Sequence, residues 1–187
     1  FEARGIRVIP AFASGLDARP AVDRFFRAGG HSIVDAVVSL TGFSLVGGPA
    51  YNDAEAAREL LMKLDVPYIA AHALEFQSVE QWRSSSLGLQ PVESTMMVAI
   101  PELDGATNPM VFGGRVGGAA GKGSRDMQPI ADRVDSLVAR VDRQVTLRRK
   151  QRGERKLAIV LFNFPPNAGN AGTAMHLSVF ASLWRTL

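Results

Sequence analysis

Cysteine is absent from the 187 residues. That excludes disulfides, thiolate nucleophiles and Cys-based zinc or iron–sulfur sites, and it fits a reducing cytoplasm, the compartment expected here. Long apolar runs are missing too. None approaches the roughly 18 residues that suggest a membrane helix, so no membrane span is expected. Phe1-Glu2-Ala3-Arg4 lacks the basic-then-apolar start of a signal peptide. Charge of one sign is scarce: 21 Lys and Arg against 18 Asp and Glu leave a formal +3, too mild to argue for a nucleic-acid partner without clustering on one face. What is present is apolar bulk, 47% of residues, enough to build a core rather than a disordered chain. The length suits one domain, or one and part of a second. Both ends look cut, with no Met at the start and Trp184–Leu187 stopping inside a helix-like pattern. The chain therefore reads as a piece of a longer polypeptide.

Strand and helix signals alternate along it. IRVIPAF (6–12) reads as a buried strand, and Asp17 and Pro20 start a helix that Gly29-Gly30 end. IVDAVVSL (33–40) is the second expected strand, followed by the glycine-rich loop TGFSLVGGPAYN. Asp53 caps an amphipathic helix with Ala57, Leu60, Leu61 and Leu64 on one face. VPYIAA (66–71) is the third strand, Ser78 caps a short helix, and TMMVAI (95–100) is the fourth strand. RVGGAAGKGSRD reads as a glycine-rich loop. Ile130, Val134, Leu137, Val138, Val141 and Val145 mark a long helix. The basic connector LRRKQRGERK (147–156) leads to a fifth strand, KLAIVLFNF, and a last helix from about Gly172. Continuous apolar strands separated by helices predict an α/β fold: a parallel sheet of about five strands with helices on both faces, a Rossmann-like or flavodoxin-like three-layer arrangement. Residues 1–187 are expected to form one α/β unit cut from a larger multidomain subunit. A boundary at 147–156, with 157–187 opening a second α/β unit, is the alternative division.

In such sheets ligands sit beyond the carboxyl ends of the strands, which directs attention to the loops there. VGGAAGKGS only approaches a P-loop, because Lys122 is followed by Gly123 and no strand leads directly into it, so no ATP site is expected. PNAGNAGTA (166–174) is either an anion-holding helix start, with Asn170 a candidate substrate contact, or a tight turn. His72 and Gln77, in AAHALEFQ, are either structural or on the functional edge. His31 and His176 receive no role. In PELDG, Glu102 and Asp104 either make local turn hydrogen bonds or, on an extended segment, point the same way into the crevice. There they suit Mg²⁺, which takes oxygen ligands, or proton abstraction.

Several stretches resemble one known family. DAVVSLTGFSLVGGPAYNDAEAA, LDVPYIAAHALEFQSVEQW, ESTMMVAIPELDGATNPMVFGGR and KLAIVLFNFPPNAGNAGTA are similar, in order, to the porphyrin-binding large subunits of magnesium chelatase, most closely those of bacteriochlorophyll type. The resemblance implies insertion of Mg²⁺, as substrate, into protoporphyrin IX. It also implies ATP-Mg hydrolysis by a separate AAA+ motor subunit with an adaptor subunit, not by this chain. It makes Glu102 the leading catalytic candidate and gives Asp104 metal delivery or the orienting of Glu102. His72 and Gln77 are then groups around the substrate, and Arg115 a partner for a propionate. The alternatives are a cobaltochelatase-type subunit acting on a corrinoid precursor, and a non-catalytic docking module.

Overall fold

The computed structural model describes residues 1–48, 50–117, 127–161 and 178–186. By internal contacts the chain falls into two units, Phe1–Arg149 and Lys150–Leu187.

The first unit begins with α1 (Arg19–Phe25), where Asp17 accepts the Arg19 N–H at 2.9 Å and Pro20 occupies the first turn. Strand β1 is Val37–Ser39, and helix α2 is Ala54–Leu64, capped by the Asp53 carboxylate on the Ala56 N–H. Strand β2, Tyr68–Ser78, is the longest, and Ser78 caps α3 (Val79–Ser84). Residues 91–104 form one helical segment, α4: an α-turn at Pro91–Ser94, a π-turn at Thr95–Ala99 and an α-turn at Ile100–Asp104. Strands β3 (Thr107–Arg115) and β4 (Met127–Pro129) and helix α5 (Ala131–Arg149) complete the unit.

The sheet runs β1-β2-β3-β4, with the first three strands parallel and β4 antiparallel to β3. Alternation along β2 builds two cores, as period-two geometry requires. Tyr68 and Ala70 pack with Ala57, Leu60 and Leu64 of α2, whereas Ile69 and Ala71 pack with Leu137 and Val141 of α5. Helices thus cover both faces and the fold is α/β, as expected. The sheet, however, is mixed and has four strands among the described residues.

Four expected strands differ, among them the fifth over its described part. Residues 6–12 are irregular and, apart from partly buried Ile6, exposed, with Phe12 86% accessible; Pro10 has no N–H for a ladder and no strand among the described residues takes up the run. Only Val37–Ser39 of the 33–40 run is strand. TMMVAI is helical, for reasons given below. In the second unit, Gln151 opens a short 3₁₀ turn at Arg152–Glu154, residues 155–161 are irregular, and Val179–Thr186 forms a helix, α6. The remainder of the expected fifth strand lies outside the described residues, as does most of the VGGAAGKGS loop.

Strands β2 and β3 approach closely because Gly114 has no side chain. A Cβ there would lie 2.8 Å from Leu74 Cβ and 3.2 Å from Val79 Cγ2. Gly114→Ala should cost about 1–3 kcal/mol by overpacking, read as a lowered urea midpoint. Gly15→Ala, where nothing lies within 4 Å of the added carbon, should stay within about 0.5 kcal/mol of the parent.

Candidate functional site

The chain enters α4 through Gln90-Pro91-Val92-Glu93. Proline is tolerated in a first turn because its missing N–H has no intrahelical partner there, and Glu93 Oε2 accepts the Gln90 N–H at 3.1 Å. Ten residues further on sits a second proline, Pro101, which has no N–H to give. The helix accommodates it by widening: the Ile100 N–H bonds to the Thr95 carbonyl, five residues back. At the far end Ala106 N–H reaches the Pro101 carbonyl at 2.9 Å and Gly105 N–H the Glu102 carbonyl at 3.0 Å, the paired bonds of a Schellman stop. Gly105 has φ 111°, which a residue with a Cβ adopts only under strain.

PELDG is therefore a helix end and not a strand mouth, and the expectation that its two acids face one crevice is corrected. At about 100° per residue, positions i and i+2 of a helix diverge by roughly 200°. Asp104 points inward and is 1% accessible, while Glu102 and Leu103 point outward. The buried positions of α4 are Glu93, Met97, Pro101 and Asp104. Within the motif, Pro101, Asp104 and Gly105 are committed to the scaffold. The Glu102 carboxylate has no hydrogen-bond or ion-pair partner among the described residues.

Asp104 fastens α4 to the glycine-rich loop. Its Oδ1 accepts the Ser44 hydroxyl at 3.0 Å and its Oδ2 the Leu45 N–H at 2.8 Å. The same stretch is tied on its other side, Ala18 N–H to the Leu45 carbonyl at 2.8 Å and Gly47 N–H to the Leu16 carbonyl at 2.6 Å. Burial raises the Asp104 pKa, and the bonds from Ser44 and Leu45 partly offset the rise. Below it Tyr68, also buried, is pushed up to about 12. With both oxygens turned to internal donors, Asp104 is placed apart from the exposed Glu102 rather than beside it.

His72 and Gln77 lie inside β2 and not in a loop after it. They are 2% and 5% accessible, so neither lines an open crevice. With them the structure brings a residue that the sequence did not flag: Glu93, wholly buried. Gln77 Nε2 donates to Glu93 Oε2 and to the Gly88 carbonyl at 3.3 Å, and the Phe76 N–H reaches Glu93 Oε1 at 3.4 Å. Neither ring nitrogen of His72 has a hydrogen-bond partner among the described residues. Burial lowers its pKa from the ordinary 6.5, and the Glu93 charge opposes that shift. A Cβ on Gly42 would meet Met97 Cγ at 3.3 Å and His72 Cβ at 3.8 Å, so the glycine loop closes directly over this cluster. The signal for Glu93 was Gln-Pro-x-Glu, a capping pattern.

Arg115 ends β3, whose start adjoins Gly105. The eight residue steps between Thr107 and Arg115 amount to about 26 Å of strand, so Arg115 is not a partner of the PELDG acids. Asn170 and His176 lie outside the described residues. His31 is exposed in a two-residue strand, His31–Ser32, paired antiparallel with Arg27–Ala28. A separate open groove of about 540 Å³ is lined by Trp82, Arg83, Ser85, Gly88, Asp132 and Arg133. There Arg133 stacks 5.7 Å from the Trp82 ring centre and Arg83 pairs with Asp132 at 3.0 Å. Of the basic connector, Arg149 pairs with Asp35 at 2.6 Å and Arg148 with Asp65 at 3.0 Å. Among the described residues no three His, Asp or Glu side chains converge on a metal position, and no helix is long and apolar enough to cross a membrane.

A family model described as CobN/Magnesium Chelatase matches residues 1–187, and the chain belongs to that family. It is 52% identical over 200 residues to a magnesium-chelatase subunit of Cereibacter sphaeroides, covering all of this chain and 17% of that protein. Against the chloroplastic magnesium-chelatase subunit ChlH of Oryza sativa subsp. indica it is 48% identical over 188 residues, again all of this chain and 13% of the other. The aerobic cobaltochelatase subunit CobN of Pseudomonas aeruginosa is more distant, 31% identical over 150 residues, 78% of this chain and 12% of that protein. The chain thus spans less than a fifth of the length of these relatives.

Removing either side of the Asp104 contact exposes its worth. Asp104→Ala leaves the Leu45 N–H buried without a partner and should lower stability by about 1–3 kcal/mol in urea unfolding. Asp104→Asn should cost less, since an amide can accept from Leu45 and donate to Ser44. Because its folded pKa is raised, Asp104 favours the fold most below about pH 3.8, and that contribution fades as pH rises through the folded value. His72 has the opposite sign. Its folded pKa is lowered, so its contribution is complete above pH 6.5 and falls away as pH drops below that. His72→Phe should flatten the loss of urea midpoint between pH 7.5 and pH 5.

Proposed function

We propose that this chain is part of the catalytic, porphyrin-binding large subunit of a magnesium chelatase, and that Glu102 is its reacting carboxylate. The observation that carries the reading is the division of labour within PELDG. Three of its residues are spent on building a helix end, and the one free carboxylate is what that end presents. The relatives named as magnesium-chelatase subunits match over the whole chain.

The reaction exchanges Mg²⁺ for two pyrrole protons of protoporphyrin IX, so charge balances with two protons released. Mg²⁺ gives up its hydration water reluctantly and is usually bound through one or two carboxylates while keeping several waters. An exposed, unpaired carboxylate on a fixed backbone can replace one such water. It can then accept one pyrrole proton as the ion passes to the ring, the second leaving to solvent water. Asp104, its oxygens occupied, is the orienting group among the roles considered for it, and Leu103 beside Glu102 offers an apolar contact to a macrocycle. His72 and Gln77, being buried, support α4 from below rather than touch the porphyrin. Coupling to ATP belongs to the AAA+ motor and adaptor subunits, and the complex works in the cytoplasm on the path to (bacterio)chlorophyll.

In the full-length subunit with its partners, Glu102→Gln should lower the Mg insertion rate by about 10²-fold or more. Porphyrin affinity, read by quenching of tryptophan fluorescence, should stay within a few fold. Undiminished insertion by this variant would reject the assignment.

A further inference from the structure

Glu93 is a wholly buried carboxylate with no ion-pair partner among the described residues. Three N–H groups point at its two oxygens, from Gln90, Phe76 and the Gln77 amide. An ionised carboxylate accepts all three because it carries only acceptor positions; an amide in its place would turn an NH₂ toward one of the donors. These bonds join the first turn of α4 to β2. Asp104 joins the last turn of the same helix to the 44–45 loop. A rod held at one end can still swivel and tilt. Held at both, it has one orientation.

We propose that Glu93 is a positioning residue for Glu102, acting through α4. This rests on the reading of Glu102 given above. The two glutamates are nine residues apart, about 13 Å along a helix and about half a turn out of phase. Their exposures agree: Glu93 faces the sheet while Glu102 faces outward. Met97 and Pro101 lie buried on the Glu93 side, so a rotation about the helix axis carries the Glu102 carboxylate sideways as one body with that face. Displacements near 1 Å at a reacting group are enough to cost about 10²-fold in rate. The Gln77 amide is what lets β2 read the position of Glu93, and its second bond, to the Gly88 carbonyl, holds that amide in place.

The test is a double-mutant cycle in the full-length subunit assembled with its ATPase and adaptor partners, using Glu93→Gln and the partly active Glu102→Asp. Porphyrin binding is followed by tryptophan quenching, and folding by the thermal midpoint. Glu93→Gln alone should lower kcat about tenfold with KM for porphyrin within twofold. On the Glu102→Asp background, where the carboxylate is already withdrawn, the same change should lower kcat less than twofold. Equal fold losses on both backgrounds, a silent Glu93→Gln, or losses that merely follow the thermal midpoint would overturn the positioning role. A fully active Glu102→Gln would instead sink the reading of Glu102, an outcome that the Glu93 variants cannot mimic, and a fully active Glu102→Asp would overturn the positioning role, since the reach of the carboxylate would then not matter.

Discussion

The bond pair from Asp104 to Ser44 and Leu45 is the contact on which the arrangement of this unit depends. A carboxylate buried without a cation is costly, because the interior replaces its hydration poorly. The cost is offset only where donors are already aimed at it, and here a hydroxyl and a backbone N–H come from one loop. The loop can aim them because its own backbone is fixed from the opposite side by residues 16–18. Glycine-rich loop, helix end and the segment before α1 are consequently one network, although nearly 90 residues of chain lie between Leu16 and Asp104.

This changes where chemistry is sought in the fold. In an open parallel sheet the loops beyond the carboxyl ends of the strands are the usual place, and Arg115 does stand at such an end. Glu102 instead belongs to the crossover helix between β2 and β3, at the end that delivers the chain to the start of β3. A helix terminus closed by a Schellman stop and an anchored Asp is stiffer than most loops. It therefore fixes the direction of the backbone that carries Glu102 more closely than a loop would.

How much of this could be read from residues alone follows from the type of signal each element carries. Helix α2 was legible because Asp53 caps it and its buried face is written in Ala and Leu. Helix α5 was legible for the same reason, its buried Leu137, Val138 and Val141 recurring at helical spacing. Helix α4 was not. Its buried face is Glu93, Met97, Pro101 and Asp104, a period of four, four and three in which two members are acids and one is a proline. A search for apolar periodicity passes over it and fastens on Met96-Met97-Val98-Ala99-Ile100 as a strand. The capping pair Gln90 and Glu93 and the stop at Gly105 do bracket the helix in the sequence, but Pro101 lies inside it and is accommodated only by the π-turn, which leaves no sequence signal of its own. The 6–12 run differs in the other direction: its composition suits a strand, but no ladder among the described residues takes it up.

The same misreading explains why the motif kept its interest while losing its geometry. On a strand, Glu102 and Asp104 would have competed for one ion and repelled each other, and both would have needed a cation. On a helix they separate by environment: Asp104 is buried with a neutral donor on each oxygen, and Glu102 is exposed. A carboxylate whose oxygens already hold N–H and O–H groups in the interior has less acceptor capacity left for another partner. Asp104 and Glu93 are both of that kind, whereas Glu102 retains its full acceptor capacity. The helix thus uses two buried acids as fasteners so that a third, on the opposite face, stands free at a defined angle. Hydrogen bonding thus leaves one acid of the motif exposed and without a partner among the described residues, with the other turned away from it.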